Sequence, residues 1–265
     1  MRGIVSVALA CALVATGARA IVIRHDRGDA AYLSREADYP AIFALYRTKE
    51  GHKDCVATLI SERWAITVAH CTKDKPFIDA LAGSKPGYRV EIAGREAVID
   101  RLVRHPAHER IKGKENLWVD LALVRLAAPV SGVAPIAMYA QGDELDRVVL
   151  LPGWGGPGNG VEGYKQGDGA FRVAENRIDT ATRGWVTWKF DDPRSSRRAL
   201  TLEGIAGPAD SGGPALVRTG AGLKIVGVGS FSNARGGTEG VYGVVEFYAR
   251  VSEHLPWIRS VISNR

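Results

Sequence analysis

The stretch Pro208-Ala209-Asp210-Ser211-Gly212-Gly213-Pro214 puts one hydroxyl on a turn with almost no side chains to cover it. Glycines after a serine let the backbone take tight, left-handed geometry and leave room for another chain to approach the hydroxyl. A serine hydroxyl is inert by itself. It needs a base to take its proton, a group to orient that base, and backbone N–H donors where an oxyanion would form. Two other stretches supply candidates. Trp64-Ala65-Ile66-Thr67-Val68-Ala69-His70-Cys71 is an apolar, β-branched run ending in a histidine, and Asn116-Leu117-Trp118-Val119-Asp120-Leu121 sets an aspartate among apolar neighbours. An isolated buried carboxylate is costly, so Asp120 reads as a partnered acid rather than a stray one.

The chain order of these groups is His, Asp, Ser, which is that of one of several unrelated folds carrying such a triad. On these three motifs, and on Gly153-Trp154-Gly155 between them, the chain resembles the trypsin-like serine endopeptidases of the chymotrypsin fold, from about Ile21 to the C-terminus. The resemblance implies an all-β fold of two antiparallel six-stranded β-barrels with a C-terminal helix. It implies hydrolysis of peptide bonds in a protein or peptide substrate through an acyl-enzyme, without cofactor or metal. His70 would be the base, Asp120 its orienting partner and Ser211 the nucleophile. The N–H groups of Ala209 and Ser211 would form the oxyanion hole. The family has glycine where Ala209 stands, so a positive φ there would strain the alanine by about 1 kcal/mol.

Substrate-binding positions follow from the same resemblance. Ile205 occupies the place where trypsin carries the aspartate that binds cationic side chains, so simple trypsin specificity is not expected. Ser230-Phe231-Ser232 would pair along an extended substrate backbone. Aligning Phe247-Tyr248-Ala249-Arg250-Val251 with the family's Val-Tyr-x-Arg-Val run puts Glu246 on the pocket wall, where it would restore a preference for Arg or Lys, fill the pocket, or face solvent. An activation pair is also implied, in which a freed Ile21 ammonium pairs with Asp210. Ile23-Arg24-His25-Asp26 departs from the family's glycines just after that point.

Met1-Arg2, the apolar run from Gly3 to about Thr16, and Ala18-Arg19-Ala20 read as a signal peptide over residues 1–20, with export to the periplasm or outside the cell. Its removal would make Ile21 the first residue, so that the sorting cut itself would create the activating end. Cys55 and Cys71 are the two cysteines that remain, and in an oxidising compartment they are expected to form a disulfide. The animal relatives' additional bridges are missing, which suggests a bacterial exported member. The 265 residues are 46% hydrophobic with a formal charge of +6. Without Arg2 and Arg19 the balance is 33 basic to 29 acidic residues, with no basic stripe and no nucleic-acid module. A monomer with neither nucleic-acid nor membrane partner is expected after cleavage.

Short apolar strands separated by turn residues run from Tyr39 onward, among them 55–60, 64–68, 88–92, 97–103, 121–126, 148–151, 171–174, 185–190 and 225–232. The uncharged stretch Ala127–Pro135 is placed as the crossover. It divides an N-terminal barrel of about 21–134 from a C-terminal barrel of about 135–250, followed by a helix at about 252–263. Ser252 would cap that helix, with Pro256 in its first turn. His105, His108 and His254 read as surface residues, and Gly153–Gly158 as a surface turn, since no Lys-Ser/Thr pair follows to make a phosphate loop. Two other readings remain open: an inactive homologue binding a partner through the old cleft, and an acyl-transfer enzyme acting on esters.

Overall fold

The computed structural model describes residues 21–47, 53–83, 87–109, 118–165, 169–234 and 238–263. The signal segment 1–20, the turn at 49–51, most of the polar loop 108–115, and Asn116-Leu117 therefore lie outside the described residues. The chain enters on β1 (Val22–Ile23). It then forms β2 (Ile42–Arg47), β3 (Lys53–Leu59), β4 (Trp64–Thr67), helix α1 (Lys75–Ala82), β5 (Tyr88–Ile92), β6 (Arg95–Arg104) and β7 (Ala122–Leu126). Beyond the uncharged crossover come β8 (Ala137–Met138), β9 (Val148–Gly153), β10 (Gly158–Asn159), β11 (Gly163–Tyr164), β12 (Arg172–Arg177), β13 (Thr180–Thr182) and β14 (Trp185–Lys189). The last elements are β15 (Gly204–Ile205), β16 (Pro214–Thr219), β17 (Gly222–Asn233), β18 (Val245–Arg250) and helix α2 (Val251–Ser263).

The first sheet has the antiparallel order β2-β3-β4-β7-β6-β5, and β5 curls back against β2. The second runs β12-β9-β16-β17-β18-β14-β13, with β8 beside β17 and β12 approaching β14. When the six longer strands of each half are numbered from first to sixth, both rings read first, second, third, sixth, fifth, fourth. This is the chymotrypsin-like architecture: two curled sheets of the same circular order and a C-terminal helix. Closure removes the unpaired edges that an open sheet of this size would expose.

Each half is filled by its alternate residues. Leu59, Ile66, Ile99 and Leu123 are buried in the first, and Val149, Val186, Trp188 and Val226 in the second. β4 is buried at all four positions, and its last residue, Thr67, abuts Gly212 of the other half. Although residues 21–33 precede the first sheet, they pack on the second half. β1 pairs in parallel with β10 and antiparallel with β15, Leu33 bridges Arg172, and the buried Arg172 guanidinium meets Asp29 at 2.7 Å.

Three expectations need correction. Helix α2 begins at Val251, so Ser252 lies inside it. Its hydroxyl donates to the fully buried Glu144 carboxylate, which also holds Arg250 at 2.7 Å. Pro256 lies in the second turn rather than the first; the missing N–H is tolerated because Val251, Leu255 and Ile258 bury the helix face. His254 is not a plain surface residue: its ring stacks edge-on against His105 at 5.2 Å, and His105 in turn lies 4.8 Å from Trp257. Burial pushes His105 down to about 4, with the charges of His254 and His108 adding.

Candidate active site

The sequence-predicted residues come from both halves and converge on one cleft. His70 opens a short 3-10 turn three residues after the end of β4, and Asp120 lies two residues before the start of β7, the strand paired with β4. Asp120 is 1% exposed, and its carboxylate is fully engaged. Oδ1 accepts the His70 backbone N–H at 2.9 Å, while Oδ2 lies 2.6 Å from His70 Nδ1 and accepts the Ser230 hydroxyl at 2.6 Å. Burial alone would raise this carboxyl. The His70 ring, the Ser230 hydroxyl and the His70 amide outweigh it, holding the acid below its ordinary range. Among the described residues Nε2 has no hydrogen-bond partner, and the side chain is 41% exposed.

Ser211 stands on the loop before β16. Its carbonyl accepts the Val56 N–H at 2.7 Å and lies 3.6 Å from Cys71 Sγ, so the loop is tied to β3 and to the turn that carries His70. Gly212 at φ +83 is obligatory there, since a Cβ would come within 2.2 Å of the Val56 carbonyl. Cys55 and Cys71 form the expected disulfide. Among the described residues no hydrogen bond joins the Ser211 hydroxyl to His70, a link that unliganded sites often lack. Their two cavities adjoin. One is lined by Ser211, Ser230 and Phe231, the other by His70, Asp120, Ser230 and Phe231.

Ala209 has φ +79, the left-handed conformation in which its Cβ is strained. Neither its N–H nor that of Ser211 has an acceptor among the described residues. The loop is held from below by Asp210, 2% exposed. Asp210 Oδ1 accepts the Trp154 and Gly155 N–H groups at 2.8 and 2.7 Å, and Oδ2 accepts that of Gly207 at 3.0 Å. Here the surface-turn reading of 153–158 fails. Residues 153–157 are buried, and a Cβ on Gly153 or Gly155 would come within 2.2 or 2.4 Å of the Asp210 carboxylate. These glycines exist to let a backbone wrap a buried acid.

The cavity beside Ser211, about 250 Å³, is lined by Ile205, Ala206, Ser230, Ser232 and Glu246 among others. Glu246 is 4% exposed, which removes the solvent-facing alternative, and it accepts the Ala206 N–H at 3.0 Å. Val22 and Asp210 line the same cavity, and Ile21 is buried. In the chain as written Ile21 carries an amide rather than an ammonium. Among the described residues Asp210 then accepts only N–H hydrogen bonds, and burial raises it to about 7 against those bonds and the charge of Arg172. The departure at Ile23-Arg24 is absorbed locally, since the Arg24 guanidinium binds both Asp26 oxygens and the Leu200 carbonyl.

Sequence reading missed an aromatic patch at the mouth of the cleft. Trp118, Trp185, Phe231 and Phe247 contact one another, with Phe231 and Phe247 stacked at 4.5 Å. Trp118 beside Asp120 and the pair Trp185-Trp188 were its only local signals.

A family model described as Trypsin matches residues 31–258. The chain belongs to the trypsin family. This trypsin-family chain is similar to phenoloxidase-activating factor 3 of Holotrichia diomphalia, 28% identical over 251 residues that cover 84% of the chain and 68% of the relative. It is also similar to CLIP domain-containing serine protease B15 of Anopheles gambiae, 28% identical over 78% of the chain and 61% of the relative. Kallikrein-8 of Rattus norvegicus is 25% identical over 80% of the chain and 78% of the relative. The trypsin-family chain is a serine-type endopeptidase, a hydrolase whose substrates are proteins or peptides. No helix among the described residues is long and apolar enough to cross a membrane.

Proposed function

We propose that the protein is an exported endopeptidase that cleaves through His70, Asp120 and Ser211. The observation that carries this reading is the Asp120 carboxylate, which is buried, ionised and aimed at Nδ1. That bond fixes the proton on Nδ1 and presents Nε2 as the base. As Ser211 Oγ attacks the substrate carbonyl, Nε2 takes its proton, and the imidazolium is stabilised by Asp120 at 2.6 Å. The open N–H groups of Ala209 and Ser211 receive the developing oxyanion. The imidazolium then protonates the leaving amine; water repeats the sequence on the acyl-enzyme.

Activation follows from the electrostatics of Asp210. A buried acid with three N–H donors and, among the described residues, no ion-pair partner beyond the through-space charge of Arg172 is incompletely compensated. Cleavage after Ala20 would create an ammonium on Ile21, whose neighbour Val22 already lines the cavity with Asp210. Pairing would hold the 208–211 loop in its N–H-forward conformation. Covalent labelling by an organophosphonate tests the reading. Mature enzyme beginning at Ile21 labels, Ser211→Ala does not, and labelling that survives in Ser211→Ala overturns the nucleophile assignment. The second reading, a catalytically weak homologue that binds through the cleft, draws on Ala209 at φ +79; it requires absence of labelling in the mature wild-type chain.

A further inference from the structure

The turn that carries His70 is tied at its start to Asp120, which accepts the His70 N–H, and at Cys71 to β3 through the disulfide. Its far end is held from β2 and β6. A 3-10 turn of three residues is too short to hold itself, and its last carbonyls need partners from outside. The Ala69 carbonyl accepts the N–H and the hydroxyl of Thr72 at 3.0 and 2.7 Å, and the His70 carbonyl accepts the Lys73 N–H at 3.3 Å. The Cys71 carbonyl accepts the Tyr46 hydroxyl from β2. Arg104, the last residue of β6, then closes on Thr72: Nη2 donates to the carbonyl at 2.6 Å and Nε to the hydroxyl at 2.8 Å. One fork of a guanidinium is spent on two neutral acceptors of one turn residue.

The reach of that side chain links the base to the acid. Thr67, Ala122 and Arg104 form one cross-strand row on β4, β7 and β6, so β7 lies between Arg104 and the strand that leads to His70. The main chain beside Arg104 is registered to the segment that carries Asp120, since the His105 N–H donates to the Leu121 carbonyl at 2.9 Å. The disulfide ties the turn toward the side that holds Ser211; Arg104 ties it toward Asp120. We propose, resting on the peptidase reading, that Arg104 is a positioning residue for the base: its fork on Thr72 holds the turn where one Asp120 carboxylate reaches both the His70 amide and Nδ1. Arg104 lines neither cavity of the site and acts through the turn alone.

The mature enzyme is compared with three variants. Arg104→Met keeps the stem, and Arg104→Lys keeps the charge without the fork. Arg101→Met removes the same charge from the same strand, at a residue that lies over the Trp64 ring. Rates on a peptide substrate are expressed per phosphonate-titrated site, with thermal melts alongside. The proton on His70 Nδ1, carried far downfield by its 2.6 Å bond to Asp120, is followed by NMR. In Arg104→Met kcat should fall about 10- to 100-fold with KM within about twofold, and the Nδ1 resonance should move or broaden. Arg104→Lys should be intermediate and Arg101→Met like wild type in both readouts. A purely structural role would lower Tm and the titrated fraction but leave the rate per site and the resonance unchanged; that result overturns the proposal, as does an equal fall in Arg101→Met. Should Arg104→Met fail to fold, Arg104→Lys decides, a wild-type rate per site overturning the proposal and a reduced one supporting it. A wild-type chain that takes no phosphonate removes the peptidase reading instead, and the Nδ1 resonance still reports on the clamp.

Discussion

Replacing Gly155 by alanine tests the claim that the Gly-Trp-Gly segment is shaped by a buried acid. The added Cβ would stand 2.4 Å from Asp210 Oδ2 and 2.5 Å from the Pro208 carbonyl oxygen, and neither can retreat easily. Asp210 is fixed by three N–H donors, and the Pro208 carbonyl itself accepts the Gly156 N–H at 2.6 Å. Overpacking costs about 1–3 kcal/mol. If relief of the clash breaks one of the charged hydrogen bonds, about 1.5–3 kcal/mol is added. The sum, about 2.5–6 kcal/mol, should lower Tm by roughly 5–24 °C at the 2–4 °C per kcal/mol expected for this size. Catalysis should fall further than stability, because the displaced loop carries the N–H groups of Ala209 and Ser211. Gly28→Ala is the control. Gly28 has φ −69 and nothing within 4 Å of an added Cβ, so the substitution should be neutral or stabilising by up to about 1 kcal/mol. Thermal melts with kcat/KM on phosphonate-titrated enzyme decide. A Gly155→Ala protein with wild-type Tm and rate would refute the account of Asp210 as the acid this segment wraps.

Ala209→Gly should relieve the strain at φ +79 and, after the greater chain entropy of glycine, leave stability within about 1 kcal/mol of wild type; kcat should rise or hold, and a tenfold fall measured on peptide substrate would contradict the oxyanion assignment. Removing both cysteines, Cys55→Ala with Cys71→Ala, should cost about 3 kcal/mol by loop closure, and activity should fall more steeply because the Val56 N–H that holds Ser211 adjoins the bridge. Acid should loosen helix α2. His105 is held neutral by burial with its value down at about 4, so its contribution is complete above the unfolded value near 6.5 and is lost as pH falls toward 4, by at most about 3 kcal/mol. Glu203, raised by burial to about 7, has the opposite sign, its contribution being present at low pH and lost as pH rises through 7. The two trends oppose each other between pH 4.5 and 6.5, so the test is the difference between wild type and His105→Phe in urea melts across that interval. Identical slopes would show that His105 does not couple.

Most strands, and the three residues proposed as the triad, were legible because their signals are local. β4 and β7 are short β-branched runs, and a nucleophile, a base and a shielded acid need particular residue types in any fold. Helix α1 was missed because eight residues beginning Lys75-Pro76 bury only Phe77, too little pattern to read. β16, directly after the catalytic loop, was hidden by the prominence of its first residues, and the two-residue strands carry no periodicity at all. The burial of Gly153–Gly155 was illegible for a different reason. Those glycines respond to Asp210, more than fifty positions away, and chain proximity gives no sign of it. His254 failed in the same way, since its helical position predicts exposure and the ring it packs on, His105, comes from the first half.

The tie between the halves is reciprocal. The first half supplies His70 and Asp120, yet the Asp120 carboxylate is completed by Ser230 from the second. The second half supplies Ser211, yet its carbonyl is held by Val56 from the first. Neither half can present finished geometry alone: without Ser230 the buried Asp120 loses a donor, and without Val56 the serine loop loses its anchor. Burial continues across the same boundary, where Leu59 and Leu123 belong to one packed cluster with Leu216 and Ile258. Separation of the halves would expose that cluster and part His70 from Ser211 in one event. The site is therefore a property of docking rather than of either barrel, and loss of activity in denaturant should coincide with loss of the inter-half core rather than precede it.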